Sequence, residues 1–524
     1  MGRDCFRADD RGATSCMKAE QPLEEPSAAS FVANRLAEGL AGRIRQSIAS
    51  SCGLALQVGP EQLDWAQVGQ MVTKIAANLA AAGVGSGATI AIPGRSDLSC
   101  AVAVLAVVSS GRCAMIVNPY RPAQAVLRAA RELEPHAMLV PENDPIAEFA
   151  EPGDPVFVMT RDGSLSRTGK LADASGTAGN RSGILISTSG TTGEPQTIHL
   201  PLPVLSRAMA EIEVMHAGFG DRVRADGSWP ALLQYSPLAH IGGVLTLLRA
   251  AAQGRATVIL GKFHVETWAQ AVEQCQPFTT GLPPSMMRMI LEADIDPARM
   301  SSLVSAWSGT APVRSDERDA FSAKYGIPVL GNYGATEFCG AIASWSLDDY
   351  RAYFSSHSHA VGRIDPEIAQ ARLRSPEGKL LSEEGAVGVL EFKVRRMGEH
   401  WIKTNDLGSV DTKSFLTLHG RKDDTILRGG FKLSPTMISD ILREHPAIRN
   451  AAVVGIADER LGQVPVAAVE LVDNASIGCV EVQDFVRARL PAYFVPTEIL
   501  FVAELPRNPA MKLDRRAIAK LFGK

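Results

Sequence analysis

Strand-length apolar runs alternate with amphipathic helical patterns along most of this chain. That alternation confines it to α/β architectures with buried sheets. Val68, Met71, Val72, Ile75 and Leu79 share one helical face, and Gly83 closes that helix. A strand over 88–92, a helix over Leu98–Ser109 and a strand over 115–117 follow, ended by Asn118 and Pro119. Residues 161–183 are rich in Gly, Ser, Thr and Asp and read as a surface connection. From about Val387 strands dominate, at 387–394 and 414–418. Ser434 then caps a helix with Pro435 in its first turn and Ile438, Ile441 and Leu442 on its apolar face. Strands at 451–456, 464–471 and 498–502, with helices at 482–490 and Arg515–Leu521, make a C-terminal part large enough for a small α+β domain.

A chain of 524 residues exceeds one ordinary core, so at least two domains are expected. Hydrophobic residues are 46% and charged residues 21%, which excludes a wholly disordered chain. Lys and Arg total 53 against 57 Asp and Glu, a net charge of -4, so no basic excess points to nucleic acid or a membrane surface. The eight cysteines include no CxxC and no close pairing, which fits a reducing cytosol better than a disulfide framework or a zinc site. The most apolar run, 101–108, is too short to span a bilayer, and Arg112 follows it. The first thirty or so residues read as a polar tail without the apolar core of a secretory signal. Phe6 stands where a myristoylation signal wants Ser or Thr.

The most informative segment follows an apolar strand at 184–186. Residues 187–195 read Ser-Thr-Ser-Gly-Thr-Thr-Gly-Glu-Pro. Glycines allow close backbone approach, and successive N–H and hydroxyl groups make a concave donor site for a polyphosphate. No Gly-Lys-Ser/Thr closes the loop, so it is not a Walker P-loop, and an ordinary ATPase is disfavoured.

In its exact order the loop resembles the phosphate loop of the adenylate-forming superfamily of acyl-CoA synthetases, peptide-synthetase adenylation domains and luciferases. The resemblance extends along residues 35–520. Residues 237–243 (Pro-Leu-Ala-His-Ile-Gly-Gly) resemble the family's Pro-Leu-x-His segment, and 308–312 (Ser-Gly-Thr-Ala-Pro) its Gly-Gly-Ala-Pro turn. Residues 333–337 (Tyr-Gly-Ala-Thr-Glu) match its Tyr-Gly-x-Thr-Glu, and 404–406 (Thr-Asn-Asp) its Thr-Gly-Asp. Residues 420–424 (Gly-Arg-Lys-Asp-Asp) match Gly-Arg-x-Asp-Asp; 490–496 and 505–512 match the C-terminal signatures.

The resemblance implies a two-step chemistry, acid plus ATP to acyl-adenylate and pyrophosphate, then displacement of AMP by a thiol. It implies a large N-terminal multi-sheet α/β domain over 31–422 and a small mobile C-terminal α+β domain over 423–524, turning on a hinge at Asp423. Thr188, Ser189, Gly190, Thr191, Thr192 and Gly193 would cradle the β- and γ-phosphates. Gly309, Thr310, Ala311 and Pro312 would border the nucleotide. Glu337 would hold Mg²⁺, a hard cation suited to carboxylate and phosphate oxygens, and Thr336 would contact the α-phosphate. Tyr333 would stack on adenine and Asn332 read its amine. Asp406, assisted by Arg421, would accept from the ribose hydroxyls. His240 would gate the acyl carboxylate. Lys512 would bridge carboxylate and α-phosphate as charge gathers there. Gly429 and Gly430 would let pantetheine pass close to the backbone.

Three departures stand out: Gln196 replaces the family's usual Lys, Met511 replaces the Gly before the catalytic lysine, and the link between Arg396 and Trp401 is short. The run Gln-Tyr-Ser before Pro237 lacks the acid that pairs an α-amino group, which disfavours an amino-acid substrate. Gly242, Gly243 and Gly331 read as room for an aryl or medium-length acyl group, with Trp307 filling part of it. With 524 as its last residue the chain shows no carrier domain after Lys512. The expected activity is therefore that of a cytoplasmic, AMP-forming acyl-CoA synthetase using ATP, Mg²⁺ and coenzyme A on a hydrophobic carboxylic acid. Alternatives are loading of a separate carrier protein, or a catalytically weakened binding homologue.

Overall fold

The computed structural model describes residues 35–120, 122–151, 154–167, 181–188, 196–216, 229–309, 313–375, 377–383, 385–422, 424–429, 431–508 and 512–523. Among them no helix is long and apolar enough to cross a membrane.

A seven-stranded sheet carries the N-terminal core, in the order Leu165–Arg167, Val156–Met159, Ala137–Pro141, Thr89–Pro93, Cys113–Val117, Gly183–Thr188, Gln196–Pro201. Its five inner strands run parallel and its two outer pairs antiparallel. Strand residues alternate between two clusters. Ile90, Ile92, Ile116 and Ile186 face helices Trp65–Ala81, Leu98–Ser109 and Ile241–Gln253, while Ala91, Met115, Val140 and Leu185 face helix Ala123–Glu132. A parallel sheet covered on both faces must read as near-continuous apolar runs, as these strands do. Cys100 to Ser109 are all buried, so the run too short to span a bilayer is a core helix, apolar all round. Helix Trp65–Ala81 starts at a capping box between Asp64 and Gln67.

The expected loop over 161–183 hides a short edge strand, Leu165–Arg167, paired antiparallel with Val156–Met159. Its polar composition gives no strand signal; the neighbouring strand imposes the pairing.

A ten-stranded sheet builds the site. Strands Thr279–Gly281, Ser305–Ser308 and Val329–Ala335 are parallel; from Val329–Ala335 onward the neighbours turn antiparallel, through Gly340–Ser344, Gly362–Ile364, Phe415–Arg421, Ile402–Val410, Gly388–Val394, Ala369–Arg374 and Leu380–Leu381. A four-stranded sheet of Leu232–Gln234, Thr257–Ile259, Leu54–Val58 and Glu61–Asp64 completes the N-terminal part.

Near the C-terminus, Phe431–Leu433, Ile426–Arg428, Gly462–Leu471, Ile448–Asp458 and Glu498–Phe501 form a five-stranded sheet. Val453, Ala467 and Val469 point to helices Pro435–Arg443 and Cys479–Arg487; Ala452, Val454 and Val466 point the other way, to helix Arg515–Leu521. Ser434 caps Pro435–Arg443 by accepting from the Met437 N–H.

Candidate nucleotide site

Strand Val329–Ala335 switches from a parallel neighbour to an antiparallel one, and its C-terminal end opens the cleft where ligands of such sheets bind. Asn332 and Tyr333 lie there. Gly309 follows the adjacent strand and must lack a side chain, because a methyl group would overlap Asn332 Oδ1. The register slips between Tyr333 and Gly334, and the chain enters the short turn Thr336–Phe338, which presents Glu337. Buried Cys339 ends that turn in the left-handed region, at φ 55°.

Tyr333 is 8% exposed. Its ring packs at 5.6 Å from Phe392 and 6.3 Å from Phe338, and its hydroxyl donates to Asp406 Oδ2 at 2.6 Å. Burial, then the Asp406 charge, raises the phenol's pKa far above its ordinary value. Asp406 stands opposite Arg421 across the strand pair, and Arg421 Nη1 approaches Asp406 Oδ1 at 3.7 Å. Thr404 fixes the backbone here: its hydroxyl donates to Leu390 O at 2.8 Å and accepts from the Asp406 N–H at 3.1 Å.

Lys512 enters the cleft from the C-terminal part, next to the bridge between Arg507 and Leu513. Its N–H donates to Asn508 Oδ1 at 3.0 Å, and its carbonyl accepts from the Asn508 N–H at 2.8 Å. The residue is exposed as a whole, yet neighbouring protein partly desolvates its ammonium group. That desolvation, then the Arg421 charge, lowers its pKa below the ordinary 10.5, while Asp406 and Glu337 pull it back up. His240 caps helix Ile241–Gln253 and has its pKa lowered to about 4, first by burial and then by Lys512. It is therefore neutral at physiological pH.

The fold thus brings His240, Glu337, Asp406 and Arg421 each within electrostatic reach of Lys512, with Tyr333 bonded to Asp406. Thr336 shares the Glu337 turn. Gly429 is exposed, at φ 56°, with its N–H bonded to Leu461 O. Ser189, Gly190, Thr191, Thr192, Gly193, Thr310, Ala311, Pro312, Asp423, Gly430 and Met511 lie outside the described residues, as do the side chains of Thr188 and Gln196. The strands that flank the phosphate loop, Gly183–Thr188 and Gln196–Pro201, form an antiparallel pair.

Two glycines expected to leave acyl space serve the backbone instead. A methyl group on Gly243 would overlap Pro237 O, and one on Gly331 would meet Val361 O. Close backbone approach demands glycine at both positions.

Arg396, unmarked by any motif, is buried beside the Glu337 turn. Its Nε donates to Phe338 O and one Nη to Ala341 O, both at 2.7 Å, and the other Nη pairs with buried Glu211 on helix Leu202–His216. Its partners lie 58 and 185 residues away in sequence, so no local pattern reveals it.

Magnesium suits one carboxylate combined with substrate phosphates rather than an all-protein cage. Glu337 on the open cleft fits that pattern, and no cluster of three potential metal ligands occurs among the described residues.

Known proteins share this fold. The chain matches the family of the AMP-binding enzyme over residues 48–397 and that of the AMP-binding enzyme C-terminal domain over 438–512. A 2-succinylbenzoate–CoA ligase of Bacillus cytotoxicus is 26% identical over 491 residues, covering 90% of this chain and 96% of the relative. Among solved structures, ATP-bound MatB from Rhodopseudomonas palustris superposes with a TM-score of 0.78 at 22% identity, covering 92% of this chain and 98% of that one. Apo MatB superposes less well, at 0.65. O-succinylbenzoate coenzyme A synthetase (MenE) from Bacillus subtilis, in complex with ATP and magnesium ion, gives 0.73 at 22% identity, covering 91% and 99%. A match over more than half its length, joined to the ordered motifs and the converging charges, makes this chain a member of the AMP-binding enzyme family.

Proposed function

We propose that this chain is an AMP-forming acyl-CoA synthetase for a hydrophobic carboxylic acid, with an aryl acid as the first substrate class to test. The convergence of Lys512, Arg421, Asp406 and Glu337 on one cleft carries the proposal. Two anions, a carboxylate and a triphosphate, must meet there, and a site of fixed charges facing them lowers the barrier by position and potential. The acid's oxygen attacks the α-phosphorus, the bond to the β-phosphate oxygen breaks, and pyrophosphate leaves. Lys512 faces the oxygens on which charge gathers. Asp406 accepts from the ribose hydroxyls, and Tyr333 and Asn332 border the base. Glu337 would hold Mg²⁺, which when bound would neutralise phosphate charge. Neutral His240 lines the acyl side without trading protons. The thiol of CoA then attacks the acyl carbonyl and AMP departs.

In this proposal residues 31–422 and 423–524 are separate bodies, with Asp423 as the hinge and Gly429 and Gly430 reaching the pantetheine after rotation. The better fit to the ATP-bound than to the apo form of MatB supports an adenylation-like placement of Lys512. The names of the curated relatives support an aryl acid and CoA. None of the six described cysteines is joined to another in a disulfide, which supports a reducing, cytoplasmic setting. The test is pyrophosphate exchange across aryl, alkyl and dicarboxylic acids, followed by AMP release with CoA. Exchange with an acid but no CoA-dependent thioester would reject CoA as the acceptor. Exchange with no acid would reject the enzyme.

A further inference from the structure

We infer that Arg396 is a positioning residue for the metal-binding carboxylate, and that with Glu211 it sets the spacing between Glu337 and the helix that follows the phosphate loop. The inference rests on the proposed role of Glu337. The guanidinium forks. Nε and one Nη bond the carbonyls of Phe338 and Ala341, which bracket the left-handed Cys339 closing the Glu337 turn. The other Nη pairs with Glu211 Oε2, while Glu211 Oε1 takes Arg207 Nε at 2.9 Å. Glu211 lies on helix Leu202–His216, which begins directly after strand Gln196–Pro201. That strand starts where the phosphate-loop motif ends. One buried side chain therefore connects the Glu337 turn to the helix that follows the strand leading out of the phosphate-loop motif.

The same helix is held on its other side by a buried pair between Glu213 and Arg43, so it offers a fixed reference. Arg396 also sits just before the short link noted in the sequence. Strand Gly388–Val394 ends in the turn Arg395–Met397 and returns as Ile402–Val410. The first of these strands supplies Phe392 against Tyr333 and the second supplies Asp406. Arg396 thus ties the nucleotide wall to the metal turn. Breaking a buried pair outright leaves an uncompensated charge and endangers the fold. Lysine is the discriminating replacement: it keeps one charge for Glu211 but lacks the planar fork for two carbonyls.

The experiment measures Mg²⁺ half-saturation and ATP KM in pyrophosphate exchange, together with thioester formation from supplied acyl-adenylate and CoA. Arg396→Lys should remain folded and shift Mg²⁺ half-saturation and ATP KM upward by roughly 5- to 10-fold, because a small displacement of a gripping group weakens it steeply. It should leave the thiol step, which needs no Mg²⁺-triphosphate, near the parent rate. Glu211→Gln keeps the carbonyl bonds and removes the charge that holds both Arg396 and Arg207; it should shift the same constants less, and it decides the matter if Arg396→Lys does not fold. Unchanged Mg²⁺ and ATP constants in the folded variant overturn the inference, as does an equal fall in both half-reactions. Glu337→Ala, run alongside, separates the two failures. If it keeps normal exchange, the metal role itself is wrong. If it loses exchange while the arginine variant is normal, only the positioning role is wrong.

Discussion

The nucleotide wall and the segment bearing Lys512 meet at one cleft but are held in different ways. The wall is part of a continuous sheet. Strand register sets Asp406 opposite Arg421, two buried phenylalanines fix the Tyr333 ring, and Arg396 clamps the Glu337 turn. Lys512 is held by its backbone bonds to Asn508 and lies beside one isolated bridge, Arg507 to Leu513. The difference teaches where each step draws its specificity. In the proposed function, nucleotide geometry is built into the large fold, whereas the lysine charge is delivered by placement of the C-terminal part. Nearby, Asp424 pairs with Arg515 at 2.8 Å, joining the Gly-Arg-x-Asp-Asp segment to the last helix.

Damage to the wall should be severe and confined to ATP chemistry. Glu337→Ala is expected to lower pyrophosphate exchange by about 10³-fold or more while leaving thermal unfolding nearly unchanged, since the carboxylate acts through the metal. Normal exchange in the folded variant would remove Glu337 from the metal site.

The pH response should separate the two regions next. In the proposed mechanism adenylation needs Lys512 charged, and its pKa lies below the ordinary lysine value. As pH rises through that lowered pKa the charge is lost, so kcat/KM for exchange should fall roughly tenfold per unit, starting at lower pH than an exposed lysine would give. Thioester formation from supplied adenylate should not follow this fall. Parallel alkaline limbs for the two half-reactions would break the distinction. Neither limb should show a His240 titration between pH 6 and 8, because burial holds that group near 4.

A smaller effect is expected inside the wall. Tyr333→Phe deletes the bond to Asp406 but keeps the packed ring. One hydrogen bond to a charged group is worth about 1.5–3 kcal/mol at most, so ATP KM should rise by roughly 5-fold to 10² with kcat little changed. A fall in kcat alone would place the hydroxyl in the chemistry. The smallest effect belongs to Gln196→Lys. An added cation facing phosphate should leave kcat intact and lower ATP KM by about two- to three-fold; a marked loss would show a specific task for the glutamine.

Much of this was legible in the sequence because the relevant patterns are local. Buried parallel strands appear as apolar runs, the Ser434 cap and Pro435 announce their helix, and the motif order places Tyr333, Glu337, Asp406 and Lys512 before any fold is known. Other features were closed to it for physical reasons. Arg396 looks like any surface arginine until distant chain segments bury it, since arginine is almost never fully buried without partners. Gly243 and Gly331 carry the same letter whether glycine spares room for a ligand or for a carbonyl. Leu165–Arg167 has a polar edge-strand composition that only its partner explains.

The most direct test is Lys512→Ala assayed separately in each half-reaction. If the C-terminal part delivers this charge to the adenylation step alone, pyrophosphate exchange should fall by roughly 10²-fold or more. Conversion of supplied acyl-adenylate and CoA to acyl-CoA and AMP should continue near the parent rate. Survival of exchange, or equal loss of both activities in a folded protein, would contradict the account at its central residue.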